Sequence, residues 1–465
     1  MGLVAAAPGA DDRAGAAAGP LLRLHPENPH YFAFGGTPTV LIGSGEHYGA
    51  VLNLDVDYVR YLDALAAQGL NHTRTFTGVY CEPQGAFNIA ANTLAPAPGR
   101  YCTPWARSDT PGYANGGNTF DLQRWDEAYF ARLRDFVAQA ARRGIVVELA
   151  LFCPFYEDSM WRLSPMHPAN NVNGCGPTER TAVYTLDGHG GLLAVQEALV
   201  RKIVTELNGF GNLYYEVCNE PYFGGVTMAW QQHLIDTIVA AEQPLAQQHL
   251  ISLNIANGAQ KVEALPAAVS ILNFHYASPP DAVAMNAALN RPIGDNETGF
   301  KGTADAHYRM EAWEFMLAGG ALFSHLDYSF TAGHEDGSFQ YPTTQPGGGG
   351  AAFRTQMHVL KNFIDRFAFV RMQPDNGVIV GLPPQARARA LVEPGRQYAL
   401  YLWGGSQGEV TLTLPPARYR VEWVNPRSGV TDREQTLQHP GGAVALPSPP
   451  YEQDLALRLR SETAR

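Results

Sequence analysis

Short apolar runs alternate with amphipathic stretches from about residue 38 to 370. The first run, Thr39-Val-Leu-Ile-Gly-Ser44, is followed by Tyr58, Leu62 and Leu65, spaced i, i+4, i+7. That spacing puts them on one face of a helix. The helix is predicted over Asp55–Gln68, with Asp55 as its cap and Gly69 as its stop. Further strand-like runs are Leu70–Phe76, Ile145–Phe152, Asn212–Cys218, Leu250–Asn254, Val269–His275, Pro292–Glu297 and Ala321–Asp327. Longer helices are predicted over Asp121–Arg143, Met228–Gln247 and Ala351–Phe367. Eight strand–helix units in a row point to an α/β fold, a (β/α)8 TIM barrel, over residues 24–372.

Two connections are unusually long, Thr77–Phe120 and Cys153–Gly190. Both follow strands and so belong on the C-terminal face of a barrel, where active sites are built. They carry Tyr80, Trp105, Tyr113, Phe155, Tyr156 and Trp161, read here as walls of a cleft. Beyond Phe369 the period shortens to two: Val410, Leu412 and Leu414 share one face, as do Tyr419, Val421 and Trp423. Turn residues separate these runs, which predicts a C-terminal all-β sandwich over 373–465. Its expected role is to pack against the barrel, with sugar binding as a second possibility. Residues 1–23, rich in Ala and Gly, read as a flexible tail.

Composition narrows the function. The chain has 465 residues with 33 basic and 44 acidic side chains, a formal charge of −11. That balance argues against nucleic acid as a partner, since phosphate recognition needs a basic face. No run approaches the roughly 18 apolar residues of a membrane span. No G-x-G-x-x-G follows a strand and no phosphate-binding G-x-x-x-x-G-K-[ST] occurs, and Gly347–Gly350 lacks the lysine. With no His-x-His on the first strand, no H-E-x-x-H and no calcium loop, neither a metal nor a cofactor is expected. Aromatic residues make up 11% of the chain, which suits a filled core or a sugar-stacking cleft. Among the five cysteines, Cys81 and Cys102 bracket one long loop, Cys153 and Cys175 the other. Two disulfides with Cys218 free are one reading of this spacing; five reduced thiols are the other.

The chemistry concentrates in two segments. In Tyr214-Tyr-Glu-Val-Cys-Asn-Glu-Pro221, Glu220 ends the fourth strand; in Pro292-Ile-Gly-Asp-Asn-Glu-Thr-Gly299, Glu297 ends the seventh. Strands four and seven face each other across a barrel mouth. Cleavage of an acetal needs a proton on the leaving oxygen and a negative group at the oxocarbenium-like carbon. Retaining glycosidases supply both with two carboxyls about 5–5.5 Å apart. Glu220 and Glu297 are the expected pair. The bland alternative for each is a structural ion pair. Glu216, four residues before Glu220 and on the same strand face, points into the barrel, where a buried carboxylate needs a partner; Arg74 is the expected one.

At these residues the chain resembles the clan A retaining glycoside hydrolases, which include the family 5 cellulases and mannanases. Asn219-Glu220 and Glu297 match the clan's strand-four and strand-seven positions, which implies Glu220 as the acid/base and Glu297 as the nucleophile. The N-terminal run Tyr31-Phe-Ala-Phe-Gly-Gly-Thr-Pro-Thr-Val-Leu-Ile42 and the sandwich are similar to apiosidase-like glycosidases. The resemblance implies that Arg74 lies beneath Glu297 and that Asn219 binds the sugar 2-hydroxyl. It departs from the clan at strand six, where His275 and Tyr276 are adjacent rather than two apart. Neighbours on a strand face opposite sides, so one of them reaches Glu297 unless the strand ends there. It departs again at strand eight, where His325-Leu-Asp-Tyr328 replaces a stacking Trp; Asp327 or Tyr328 is expected to serve instead. His47, Tyr156 and Trp161 complete the expected substrate-binding set.

The function expected is a retaining glycoside hydrolase acting on an oligo- or polysaccharide. The alternatives are a catalytically silent carbohydrate-binding protein and a transglycosylase on the same scaffold. The substrate class and the proposed disulfides suggest a secreted or periplasmic location, with a cytoplasmic one open.

Overall fold

The computed structural model describes residues 20–462. Residues 1–19, most of the predicted tail, lie outside the described residues. Eight parallel strands form the core sheet: β1 (Leu41–Gly45), β2 (His72–Phe76), β3 (Val146–Phe152), β4 (Leu213–Cys218), β5 (Ile251–Asn257), β6 (Val269–His275), β7 (Ile293–Glu297) and β8 (Leu322–Leu326). The hydrogen-bonded order is β1-β8-β7-β6-β5-β4-β3-β2. Strand β3, Val-Val-Glu-Leu-Ala-Leu-Phe, is buried at every position, as a strand covered on both faces must be. The fold is a (β/α)8 barrel.

No continuous ladder joins β1 to β2; the ring closes through single backbone bonds, Asn71 N to Ile42 O at 3.2 Å and Phe76 N to Tyr48 O at 3.0 Å, and through a side chain. The Asn71 carboxamide accepts from Ile42 N at 2.9 Å and donates to Val40 O at 2.8 Å. Gly43 allows this approach, since a Cβ there would stand 2.8 Å from His72 O.

The outer layer comprises α1 (Tyr58–Ala67), α2 (Glu127–Arg142), α3 (Leu192–Leu207), α4 (Met228–Glu242), α5 (Asp281–Asn286), α6 (Asp305–Leu317) and α7 (Ala351–Asp365). Asp57, not Asp55, caps α1, accepting from Val59 N and Arg60 N; Asp55 is paired with Arg100 at 2.6 Å. Helix α2 starts at Glu127 rather than Asp121, because Asn118–Trp125 pairs with Trp105–Pro111 as a hairpin and Asp126 takes the cap. One crossover carries no helix: residues 258–268 run from β5 to β6 without one.

An antiparallel sheet of Leu22–Leu24, Phe32–Phe34 and Thr37–Thr39 lies at the opposite end from the long loops. Leu22 N donates to Gly211 O at 2.8 Å, just ahead of β4. The tail predicted to reach residue 23 therefore already contains strand at Leu22.

Past residue 372 the chain forms a six-stranded and a three-stranded antiparallel sheet. Val410, Leu412, Leu414, Tyr419, Val421 and Trp423 are all buried between them. The strand Thr431–His439 has no apolar alternation to announce it; most of its positions are exposed. This β unit docks on α6 and α7. Arg309 pairs with Asp454 at 2.7 Å, and Trp313 stacks on Tyr401 at 5.3 Å.

Neither expected disulfide is present; all five cysteines are free thiols. The thiols have other neighbours: Cys81 lies against the Tyr101 and Tyr113 hydroxyls, and Cys153 against Asn219 and Tyr156. The second long loop is tied by asparagines instead. Asn170 donates to Arg162 O and Ser164 O, and Asn171 to His167 O and Cys175 O.

Candidate active site

Glu220 follows β4 by two residues and Glu297 closes β7, so both project at the C-terminal mouth. Oxygens of the two carboxylates and His275 Nδ1 lie within 4.8 Å of one another. His275 bridges them, 3.2 Å from Glu220 Oε1 and 3.4 Å from Glu297 Oε1. Both Glu297 oxygens are held: Oε1 accepts from Tyr276 Oη at 2.6 Å, and Oε2 from Tyr48 Oη at 2.8 Å and Arg74 Nη1 at 3.1 Å. Glu220 accepts from Tyr156 Oη at 2.5 Å, and Tyr222 Oη stands 3.3 Å from its other oxygen.

Strand β6 stops at His275, and Tyr276 turns to φ 53°. The alternation rule lapses there, so both neighbours reach Glu297. Of eight non-glycine residues with positive φ among the described residues, Tyr48, Phe87, Glu220 and Tyr276 all line the same cavity. Such conformations cost energy and persist where surrounding contacts enforce them, often at functional sites.

Beneath the carboxylates lies a buried polar layer. Arg74, fully enclosed, ion-pairs with Glu216 and Glu297, donates to Asn219 Oδ1 at 2.6 Å and sits 3.6 Å from Glu148. Its guanidinium covers the Tyr48 ring at 4.6 Å. Asn273 and Asn296 each donate to both Glu148 and Glu216. Burial pushes the Glu216 carboxyl up to about 7, against the pull of Arg74. Burial and the charge of Arg74 push His72 down to about 3, leaving it neutral. Burial alone would raise Glu297; the charge and hydrogen bond of His275, then Arg74 and Tyr276, hold it well below the usual carboxylate range. Burial works against a charged His275, but Glu297 and the hydrogen bonds to both glutamates lift it to about 10. The site therefore contains an ionised carboxylate held by cations and tyrosine hydroxyls.

The remaining expected residues divide. Asn219 lines the cavity, but its amide already donates to Tyr156 Oη at 2.8 Å and to Cys153 Sγ. His47 and Tyr156 line it too. Tyr328 is buried beside it, its ring 6.2 Å from His47 and 6.3 Å from Phe300. Asp327 lies outside the lining of this cavity, buried in an ion pair with Arg354 at 2.6 Å and accepting from Ser329. Trp161 is packed inward on Phe155 and His167, away from the cavity. Tyr48, Glu82, Phe87, Phe223, Asn257 and Phe300 line the cavity without having been singled out. Tyr48 neighbours His47, Phe223 follows Glu220-Pro221, and Phe300 follows Glu297, so position just after a strand was the available signal.

Glu220, His275 and Glu297 also form a geometry that could hold a metal ion. A cation there would meet the Arg74 guanidinium, 3.1 Å from the same Glu297 oxygen that Tyr48 occupies.

No protein-family model matches the sequence, and no curated protein matches it. Solved structures do. A structure described as a glycoside hydrolase aligns with a TM-score of 0.65 at 14% identity, over 96% of this chain and 98% of its own. A family 5 glycoside hydrolase from Bacteroides vulgatus ATCC 8482 aligns with a TM-score of 0.64 at 13% identity, over 96% and 94%. Another structure from that strain reaches 0.65 at 15% identity, over 96% and 83%. Across the barrel and the appended β unit, the chain therefore carries the fold of glycoside hydrolases of the family 5 type.

Proposed function

We propose that the protein is a retaining glycoside hydrolase. The observation that carries this reading is the pair of carboxylates at the ends of β4 and β7, with oxygens within 4.8 Å. Such proximity suits the separation of about 5–5.5 Å used in double displacement, rather than the 6.5–9.5 Å that leaves room for a water. In the first step Glu220 gives its proton to the glycosidic oxygen as the bond from C1 to that oxygen breaks. A Glu297 oxygen bonds to C1. In the second, water gives a proton to Glu220, its oxygen bonds to C1, and Glu297 leaves as carboxylate. Arg74, Tyr48 and Tyr276 aim the Glu297 oxygens, and His275 lies between the two carboxyls. The role of the β unit is to brace α6 and α7.

The test is hydrolysis of a panel of nitrophenyl glycosides and polysaccharides by the wild type, Glu220→Ala and Glu297→Ala. Both variants should lose hydrolysis, by about 10³-fold or more on a poor leaving group. Azide should restore Glu220→Ala through a glycosyl azide of retained configuration, and any azide product of Glu297→Ala should be inverted. Activity that survives both substitutions rejects the site.

A further inference from the structure

We infer that the site takes a single uncharged sugar at the non-reducing end of its substrate, so that the enzyme acts exo rather than endo; this rests on the glycosidase reading above. The argument begins with direction. The proton donor marks the leaving group, so the aglycone lies on the side of Glu220, with Tyr222, Phe223 and Asn257. Tyr222 Oη donates to Asn257 Oδ1 at 2.5 Å, and Tyr222 and Phe223 are exposed at 38% and 42%. They offer apolar faces for the departing group. The sugar ring must extend the other way, over Glu297 toward Tyr48, Phe76, Tyr80 and Glu82.

That side is walled. The loop after β2 is fastened to the loop after β8: Asn88 Nδ2 donates to Thr344 O at 2.8 Å, and Ala90 N to Gln345 Oε1 at 3.0 Å. The loop after β7 joins the same wall, with Gly302 N donating to Pro346 O at 2.9 Å. At the rim, the Phe87 ring meets Phe300 edge-on at 6.4 Å and Tyr156 at 5.5 Å. Phe87, Asn88 and Ala91 all have positive φ, so the backbone is bent to present this rim. A glycan continuing past the first sugar would have to pass through these contacts. The cavity measures about 280 Å³, just under the 300–1,000 Å³ of sites for drug-sized ligands.

The charge of the sugar follows from the lining. Glu82, 4% exposed, faces the cavity, its oxygens accepting from Tyr80 Oη at 3.0 Å and Asn92 Nδ2 at 2.5 Å. A carboxylate has about four acceptor positions, so it has room for sugar hydroxyls. Among the described residues no lysine or arginine lines the cavity. A uronic acid or sulfated sugar would face Glu82, Glu220 and Glu297, while the nearest cations, Arg74 and His275, lie behind the lining and are already paired with the catalytic carboxylates.

The experiment takes the nitrophenyl glycosides, with neutral, uronide and sulfated members, and then oligosaccharides of whichever sugar is released. The expected result is a neutral substrate favoured at least a hundredfold over charged ones. Oligosaccharides should yield the monosaccharide as sole first product, and capping the non-reducing terminal sugar should abolish release. Glu82→Gln should raise KM more than it lowers kcat. Internal cleavage, cleavage of the capped oligosaccharide or a charged best substrate overturns this inference and leaves the glycosidase reading standing. If no glycoside is cleaved, or if Glu297→Ala cleaves as well as the wild type, the glycosidase reading fails and this inference falls with it.

Discussion

Glu297 has more donors than a surface carboxylate would: two tyrosines, one arginine and a histidine converge on two oxygens. Hydrogen bonds to charged groups contribute about 1.5–3 kcal/mol. Tyr276→Phe should therefore lower kcat/KM about 10- to 100-fold. Tyr276 is also one of the groups holding Glu297 low, so the acid limb of the pH–rate profile should move to higher pH. An unmoved acid limb would mean that Tyr276 does not act on the carboxylate. At this scale the sequence was informative where chemistry is tied to strand ends. The placement of Glu220, Glu297 and Glu216 follows from counting strands and faces, and that of Arg74 from the clan resemblance. Glu82 and Phe87 do not, because their loop is placed by contacts such as Asn88 to Thr344, 256 residues away. The burial of Asp327 was not legible because its partner Arg354 lies on α7, beyond any local pattern.

Helix α6 shows what an element tolerates. Its Glu311 is buried, neither oxygen has a hydrogen-bond partner, and Lys301 stands 3.7 Å away. Burial lifts its pKa from 4.5 to about 7 despite the lysine. A carboxyl raised in the fold holds its proton there more tightly than in the unfolded chain. Its stabilising contribution is complete below about pH 4.5 and is lost as pH rises through about 7. Glu311→Gln should match the wild type near pH 4.5 and exceed it by about 1–3 kcal/mol at pH 8. Denaturant melts at the two pH values decide it; equal differences at both would show that Glu311 does not titrate in this range. Element types were legible because burial on both faces leaves mostly apolar runs such as Val146–Phe152, interrupted only by Glu148. Boundaries were less so: the α2 start moved to Glu127 because a hairpin claimed Asn118–Trp125.

Across the whole molecule, the barrel and the β unit share buried contacts. Arg309 is 1% exposed and its guanidinium is held by both Asp454 oxygens, while Tyr401 donates to the same carboxylate at 2.8 Å. Removing one partner of such a pair strands the other charge, at a cost of about 3–5 kcal/mol. Asp454→Ala should lower the melting temperature, with far-UV dichroism and tryptophan fluorescence shifting together. A change in one probe alone would mean the two units melt independently.

The stitch at Asn71 links this scale back to the chemistry. The Asn71 carboxamide and its backbone N–H join β1 to β2 at the base, while Tyr48, just past the far end of β1, is hydrogen-bonded to β2 only through its carbonyl, and Arg74 lies on β2. These two residues grip the same Glu297 oxygen. If the ring breathes at its weakest join, the two grips part while the other seven strand pairings stay intact. Heat should then take the activity before it takes the fold, and catalysis would be the first reporter of a seam coming loose.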